Sequence, residues 1–131
     1  MPPNFSGHWI ADLAKSKFVG PAPSALRTEI NHHEPQLRQE LAVTKPDGRQ
    51  DRVAFSCITT GEENHCRVNG DAVRGHAHWV NDEIVIETWI AVGDSELYFC
   101  DCWLLLANGQ QLVMEHRNDV IDGQRVVFTR A

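Results

Sequence analysis

Asp101 and His116 are the two residues whose types and spacing could do chemistry together. They lie in "YFCDCWLLLANGQQLVMEHRND", residues 98–119, one in each of two apolar runs separated by Asn108-Gly109. A two-residue Asn-Gly loop favours a type I′ turn, whose twist matches the strands it joins and fixes their register. With that loop at the tip, Ala107 faces Gln110, Leu105 faces Leu112, Trp103 faces Met114, Asp101 faces His116 and Phe99 faces Asn118. Directly opposed Cβ atoms lie about 5 Å apart, within reach of a hydrogen bond. A carboxylate held on one imidazole nitrogen leaves the other to take or give a proton, or to bind a polar group. The plainer reading of the same pair is a satisfied buried couple with no further role, since a charge in an apolar interior is costly unless paired.

Which way the pair points depends on its neighbours. The preceding hairpin closes at Gly93-Asp94 and sets Ile90 against Leu97, Thr88 against Phe99, Ile86 against Asp101 and Ile84 against Trp103. The one before it closes at Asn81-Asp82 and adds Trp79, Ala77, Gly75 and Val73 to that face. The opposite face collects Glu83, Glu87, Trp89, Tyr98, Arg74, His76 and His78. Three turns therefore agree on one apolar and one charged face, and the apolar face must be buried. Asp101 and His116 point inward with it. Trp103, Phe99, Ile86, Met114, Phe128, Trp79, Thr88 and Asn118 are the expected ligand-contacting residues around them. Alternation alone places Gln39, Thr28, Ile30, Leu41, Val53, Phe55 and Val68 on the facing wall, Gln39 among the ligand contacts.

The elements that must position these residues are strands. Ten are expected, at about 5–11, 25–33, 36–44, 50–58, 64–68, 71–80, 83–92, 95–107, 110–119 and 124–130, joined by short turns. "ADLAKSKF", residues 11–18, offers a helical turn or two at most, because Pro21 and Pro23 follow. Short connections make each strand pair with the next. A ten-strand meander removes its two edges by closing into a barrel wide enough for one small ligand. For the last hairpin, a three-residue Ile121-Asp122-Gly123 loop puts Val126, Phe128 and Arg130 inside; a two-residue loop would flip them. The expectation is thus an all-β, single-domain, up-and-down antiparallel barrel spanning 1–131.

"FSGHW", residues 5–9, resembles the G-x-W that opens lipocalins and fatty-acid-binding proteins, the calycin group, and short bacterial lipocalin-like proteins. The resemblance implies a Trp closing the barrel base with an Arg of the last strand packed across it; Trp9 and the Arg130 of "VVFTRA" match. It implies a ligand cavity. It does not carry fatty-acid binding over, because the carboxylate-holding R-x-Y near the C-terminus reads Val126-Val127-Phe128 here. Room for a helical lid after the first strand is also missing.

Composition bounds the remaining choices. In 131 residues, 42% are hydrophobic and 23% charged, as in an ordinary globular chain. A net charge of −6 argues against a nucleic-acid partner, which needs a concentrated basic face. No apolar run is long enough to span a membrane as a helix. "MPPNFSGHW" has no basic and then apolar leader, so a cytoplasmic location with reduced thiols is expected. Cys57 and Cys66 fall opposite each other if Gly61-Glu62 makes a tight turn, as free thiols or as a cross-strand disulfide; Cys100 and Cys102 share the outer face. "HAHW" places His76 and His78 on the outer face beside Glu87, which reads as a solvated polar face, and His32-His33 at a turn tip reads as surface. No tetrahedral set of four zinc ligands assembles, so neither metal nor cofactor is expected.

The leading expectation is a monomeric or homodimeric barrel that binds a small hydrophobic molecule, with Asp101, His116, Asn118 and Thr88 fixing its polar end. Two alternatives stand beside it. One is a cofactor-free isomerase or lyase in which His116 moves a proton and Asp101 orients it. The other is a filled barrel acting as an interaction module.

Overall fold

Alternating inward apolar and outward polar residues give strands nearly everywhere. A computed structural model describes residues 3–68, 70–118 and 123–131, with Val68 described by its backbone alone. The strands are β1 (Gly7–Ala11), β2 (Ala25–His33), β3 (Gln36–Thr44), β4 (Gln50–Ile58), β5 (Asn64–Val68), β6 (Asp71–Val80), β7 (Glu83–Val92), β8 (Ser95–Leu106), β9 (Gln111–Asn118) and β10 (Gln124–Arg130). They form one antiparallel sheet in the order β4-β3-β2-β1-β10-β9-β8-β7-β6-β5. The first and last strands pair, β1 with β10, and the sheet curls into a nearly closed barrel.

The turn chemistry sets the register. Asn81 (φ 56°), Gly93 (φ 59°), Asn108 (φ 56°) and Gly109 (φ 84°) supply the left-handed residues that tight hairpins need. Ile86 opposes Asp101, Trp79 opposes Ile84, and Asp101 opposes His116, as the residue count predicts. At the β8–β9 tip the last paired residues are Leu106 and Gln111. Ala107 is also left-handed (φ 53°), and residues Ala107–Gly109 form a short 3-10 turn, so the ladder stops one pair before the expected Ala107–Gln110.

Four local expectations need correction. β4 and β5 touch but share no ladder among the described residues, so the expected hairpin pairing there is absent. Cys66 pairs with Val73 of β6 and Cys57 with Leu37 of β3, and both thiols are free. The Asn64 side chain spans the seam, donating to the Ser56 carbonyl at 3.0 Å. Residues 11–18 hold a single turn, within the turn or two expected there. The segment runs along β10, with Lys17 bridged to Arg125 and the Ser16 hydroxyl accepting the Val127 N–H at 3.0 Å.

The last hairpin has the expected faces but not the expected register. Val126 opposes Met114, Phe128 opposes Leu112 and Gln124 opposes His116. Of the predicted three-residue loop, Ile121 and Asp122 lie outside the described residues. His32 is the fourth correction: it is 3% exposed, not a surface residue.

Phe5, Trp9, Ile30, Leu37, Ile84, Ile86, Leu112 and Phe128 are fully buried and fill one part of the barrel. Each such side chain contributes about 1.5–3 kcal/mol relative to exposure. The base is closed as the G-x-W motif implies. Trp9 pairs with Arg130, whose guanidinium lies 4.2 Å from the Trp9 ring centre and donates to the Ser6 carbonyl at 2.8 Å. Trp9 donates its indole N–H to the Phe5 carbonyl at 3.0 Å. Gly7 has φ 144°, and a Cβ there would collide with the Arg130 guanidinium, so the motif's glycine is fixed by this packing.

Candidate functional site

β8 and β9 bring the two candidate residues together on the inner face. His116 Nδ1 and Asp101 Oδ1 are 2.6 Å apart, a short hydrogen bond in which the imidazole N–H donates. Both side chains are 28% exposed, so the pair is neither sealed in the core nor bathed in solvent. The Phe99 ring stacks on the imidazole at 5.2 Å between centroids and 23° between planes. The hydrogen bond to Asp101 raises the His116 pKa above the ordinary imidazole value; desolvation opposes the rise, and the charge of Asp101 adds to it.

The pair opens into a cavity of about 370 Å³. Apolar side chains dominate its wall: Leu26, Leu41, Val53, Phe55, Val73, Ile86, Ile90, Phe99, Trp103, Met114, Val126 and Phe128. The polar contributors are Asp101, His116, Thr88, Gln39 and Gln124. Gln39 is oriented by a 3.1 Å hydrogen bond to the Thr28 hydroxyl, which itself donates to the Glu40 carbonyl at 3.1 Å. A few convergent polar groups in a mostly apolar enclosure is the composition of small-molecule sites, and the volume falls in their range.

Of the predicted contacts, Trp103, Phe99, Thr88, Ile86, Met114, Phe128 and Gln39 line the cavity with Asp101 and His116. Asn118 stands at the end of β9 opposite Phe99. Trp79 does not join them. It stacks on Phe5 at 6.0 Å and donates its indole N–H to Glu34 at 3.1 Å, away from the cavity wall. The Val68 side chain lies outside the described residues. Gln124 was missed: the expected loop length slid β10 along β9, and the observed register sets it opposite His116. Its Oε1 also accepts the Val19 N–H at 3.4 Å, tying the segment after β1 to the cavity rim.

A second polar cluster surrounds Glu34. The buried His32 accepts the Phe5 N–H on Nδ1 at 3.2 Å, which puts its proton on Nε2, 2.6 Å from Glu34 Oε1. The Thr59 hydroxyl donates to Glu34 Oε2 at 2.7 Å. Desolvation pushes the Glu34 carboxyl upward, but the hydrogen bonds from His32, Thr59 and Trp79 outweigh it and hold its pKa below the ordinary value. Every partner is internal, so this network fastens β2, the β2–β3 turn and β6 to one another. Burial pushes the Cys57 thiol up to about 12, leaving it unreactive at neutral pH.

No family model matches the chain, and no curated protein matches it. Solved structures do. Secretory abundant heat soluble protein 4 from Ramazzottius varieornatus superposes over 100% of this chain and 98% of its own, at a TM-score of 0.63 and 9% identity. Lipid binding protein 8 from Caenorhabditis elegans covers 97% and 95%, at 0.64 and 9%. Human cRBP IV covers 99% and 100%, at 0.61 and 14%. The fold is the calycin barrel. At these identities the likeness extends to the path of the backbone and stops there. The calycin reading of Trp9 and Arg130 agrees with it, since both occupy the barrel base. Among the described residues no helix is long and apolar enough to cross a membrane.

Proposed function

We propose that this calycin barrel binds a small, mostly apolar molecule with one polar end, and that His116 and Asp101 hold that end. The supporting observation is the Asp101–His116 pair, joined at 2.6 Å and opening into a largely apolar cavity of about 370 Å³. The apolar walls favour the body of the ligand through area removed from water. Gln39, Thr88 and Gln124 add neutral donors and acceptors around the same space. Two of the structural neighbours, lipid binding protein 8 and cRBP IV, a cellular retinol-binding protein, have names that fit a ligand of this kind.

A fluorescent apolar carboxylate, such as a dansylated fatty acid, tests the reading. It should bind with one-to-one stoichiometry and increased emission, and His116→Ala should weaken it by roughly tenfold, the loss of one hydrogen bond to a charged group. Saturable binding that is unchanged in His116→Ala would remove the anchor. No binding by any apolar probe would remove the ligand site.

The second reading is catalytic. With Nδ1 committed to Asp101, Nε2 is the nitrogen that would exchange a proton with a bound molecule, as general acid–base work in an isomerase or lyase requires. It predicts turnover of a bound substrate that disappears in His116→Ala while binding persists.

A further inference from the structure

The outer face of the barrel carries a second arrangement that the cavity does not use. His76 and His78 sit two apart on β6, so both rings emerge on the solvent side, and Glu87 of β7 directly opposes His76. One ligand atom from each of the three lies within 4.8 Å of the others, the only such group of three or more among the described residues. His76 Nε2 is 3.7 Å from Glu87 Oε1, and the two imidazole centroids are 6.0 Å apart. We propose that His76, His78 and Glu87 form a divalent transition-metal site on the outside of the barrel.

The chemistry of the donors selects the metal. Two imidazoles and one carboxylate suit zinc, copper or nickel far better than calcium or magnesium, which prefer all-oxygen sets. Ligand atoms around a tetrahedral zinc sit roughly 3.4 Å apart, so the three side chains need to close by no more than about 1.4 Å, within reach of side-chain rotation. A three-residue set leaves a fourth position for water.

The neighbours hold the ligands in place. The Tyr98 hydroxyl donates to Glu87 Oε2 at 2.6 Å, which turns Oε1 towards His76. The His76 ring packs against Trp89 at 5.5 Å, and Trp89 is itself held by the Arg74 guanidinium at 4.4 Å and the Tyr98 ring at 5.3 Å. Outer partners of this kind orient metal ligands. A solvated ion pair between His76 and Glu87 would need neither the second histidine nor the tyrosine.

The competing donors are the thiols of Cys100, in register with Glu87, and Cys102 on the same face. The test is therefore a Co2+ titration of the reduced full chain, read by visible d–d absorption, with Zn2+ affinity measured by competition against a chromophoric chelator. One equivalent should bind without an intense sulfur-to-cobalt band in the near ultraviolet. Affinity should fall by at least roughly tenfold in His76→Ala/His78→Ala, and by about tenfold in Tyr98→Phe. It should be retained in Cys100→Ser/Cys102→Ser. His76→Gln/His78→Gln gives the same reading should the alanine pair not fold, as judged by circular dichroism. Unchanged affinity in the histidine variants, or loss only in the cysteine pair, overturns the site.

Discussion

The proton on His116 decides how the cavity responds to pH. In the unfolded chain its imidazole titrates near 6.5, and in the barrel the bond to Asp101 moves that titration upward. Below about 6.5 both states are protonated and the stabilisation from the pair is fully present. As pH rises through the higher native value, the imidazole loses its proton and that stabilisation disappears. The wild type should therefore lose more stability than His116→Gln between pH 6 and pH 9, measured by denaturant midpoints. An NMR titration giving His116 a pKa at or below 6.5 would contradict the assignment.

His32 is the other residue with a decisive environment. Replacing it by Ala strands the buried Phe5 N–H and removes one donor to Glu34. A loss of about 1–3 kcal/mol is expected by urea denaturation, the usual effect of orphaning a buried polar group. The contrast between these two histidines shows what the sequence conveys at this scale. His116 was legible because an Asn-Gly turn counted it onto a partner across a hairpin. His32 was not, because its burial comes from Phe5, which arrives from a distant part of the chain and packs over the turn tip. Gln124 was hidden because a three-residue loop sets Phe128 opposite His116, whereas the observed register sets Gln124 there, four residues earlier on β10.

At the scale of elements, the turns with a left-handed Asn or Gly located nearly every strand end. Where the expectation failed, at β4 and β5, a plausible turn pair was present but the strands find other neighbours. β4 completes its ladder with β3, and β5 with β6, so each leaves one edge unpaired among the described residues. Amides on those two edges should exchange with deuterium faster than those of β7 and β8, which are paired on both sides. Uniform protection across all ten strands would mean that the seam is closed in solution. The β1–β10 junction makes the opposite prediction. Gly7→Ala should lower stability by roughly 1–3 kcal/mol, because the new Cβ meets the Arg130 guanidinium and the backbone is left-handed there. A midpoint equal to that of the wild type would show that Arg130 moves aside without penalty.

For the molecule as a whole, the largest question is whether the cavity is spare room or structural slack. Val53→Trp puts a large ring into it from the half-buried wall. If the space serves a ligand, probe binding should vanish while the melting temperature stays near that of the wild type. A destabilisation of about 1–3 kcal/mol, the usual penalty of overpacking, would show instead that the wall has no room to give. The overall barrel was readable because ten strands with short turns have few ways to bury one apolar face each. The cavity's volume was not readable, since it depends on how far the sheet curls.

Among the described residues the ten strands share nine ladders, and the boundary between β4 and β5 is the place where a tenth would be needed. Among the described residues, parting the wall there breaks the Asn64 side-chain bond to the Ser56 carbonyl and no backbone ladder. A guest entering by that slit would leave the rest of the sheet intact, so exchange with the bulk need not wait for the protein to unfold.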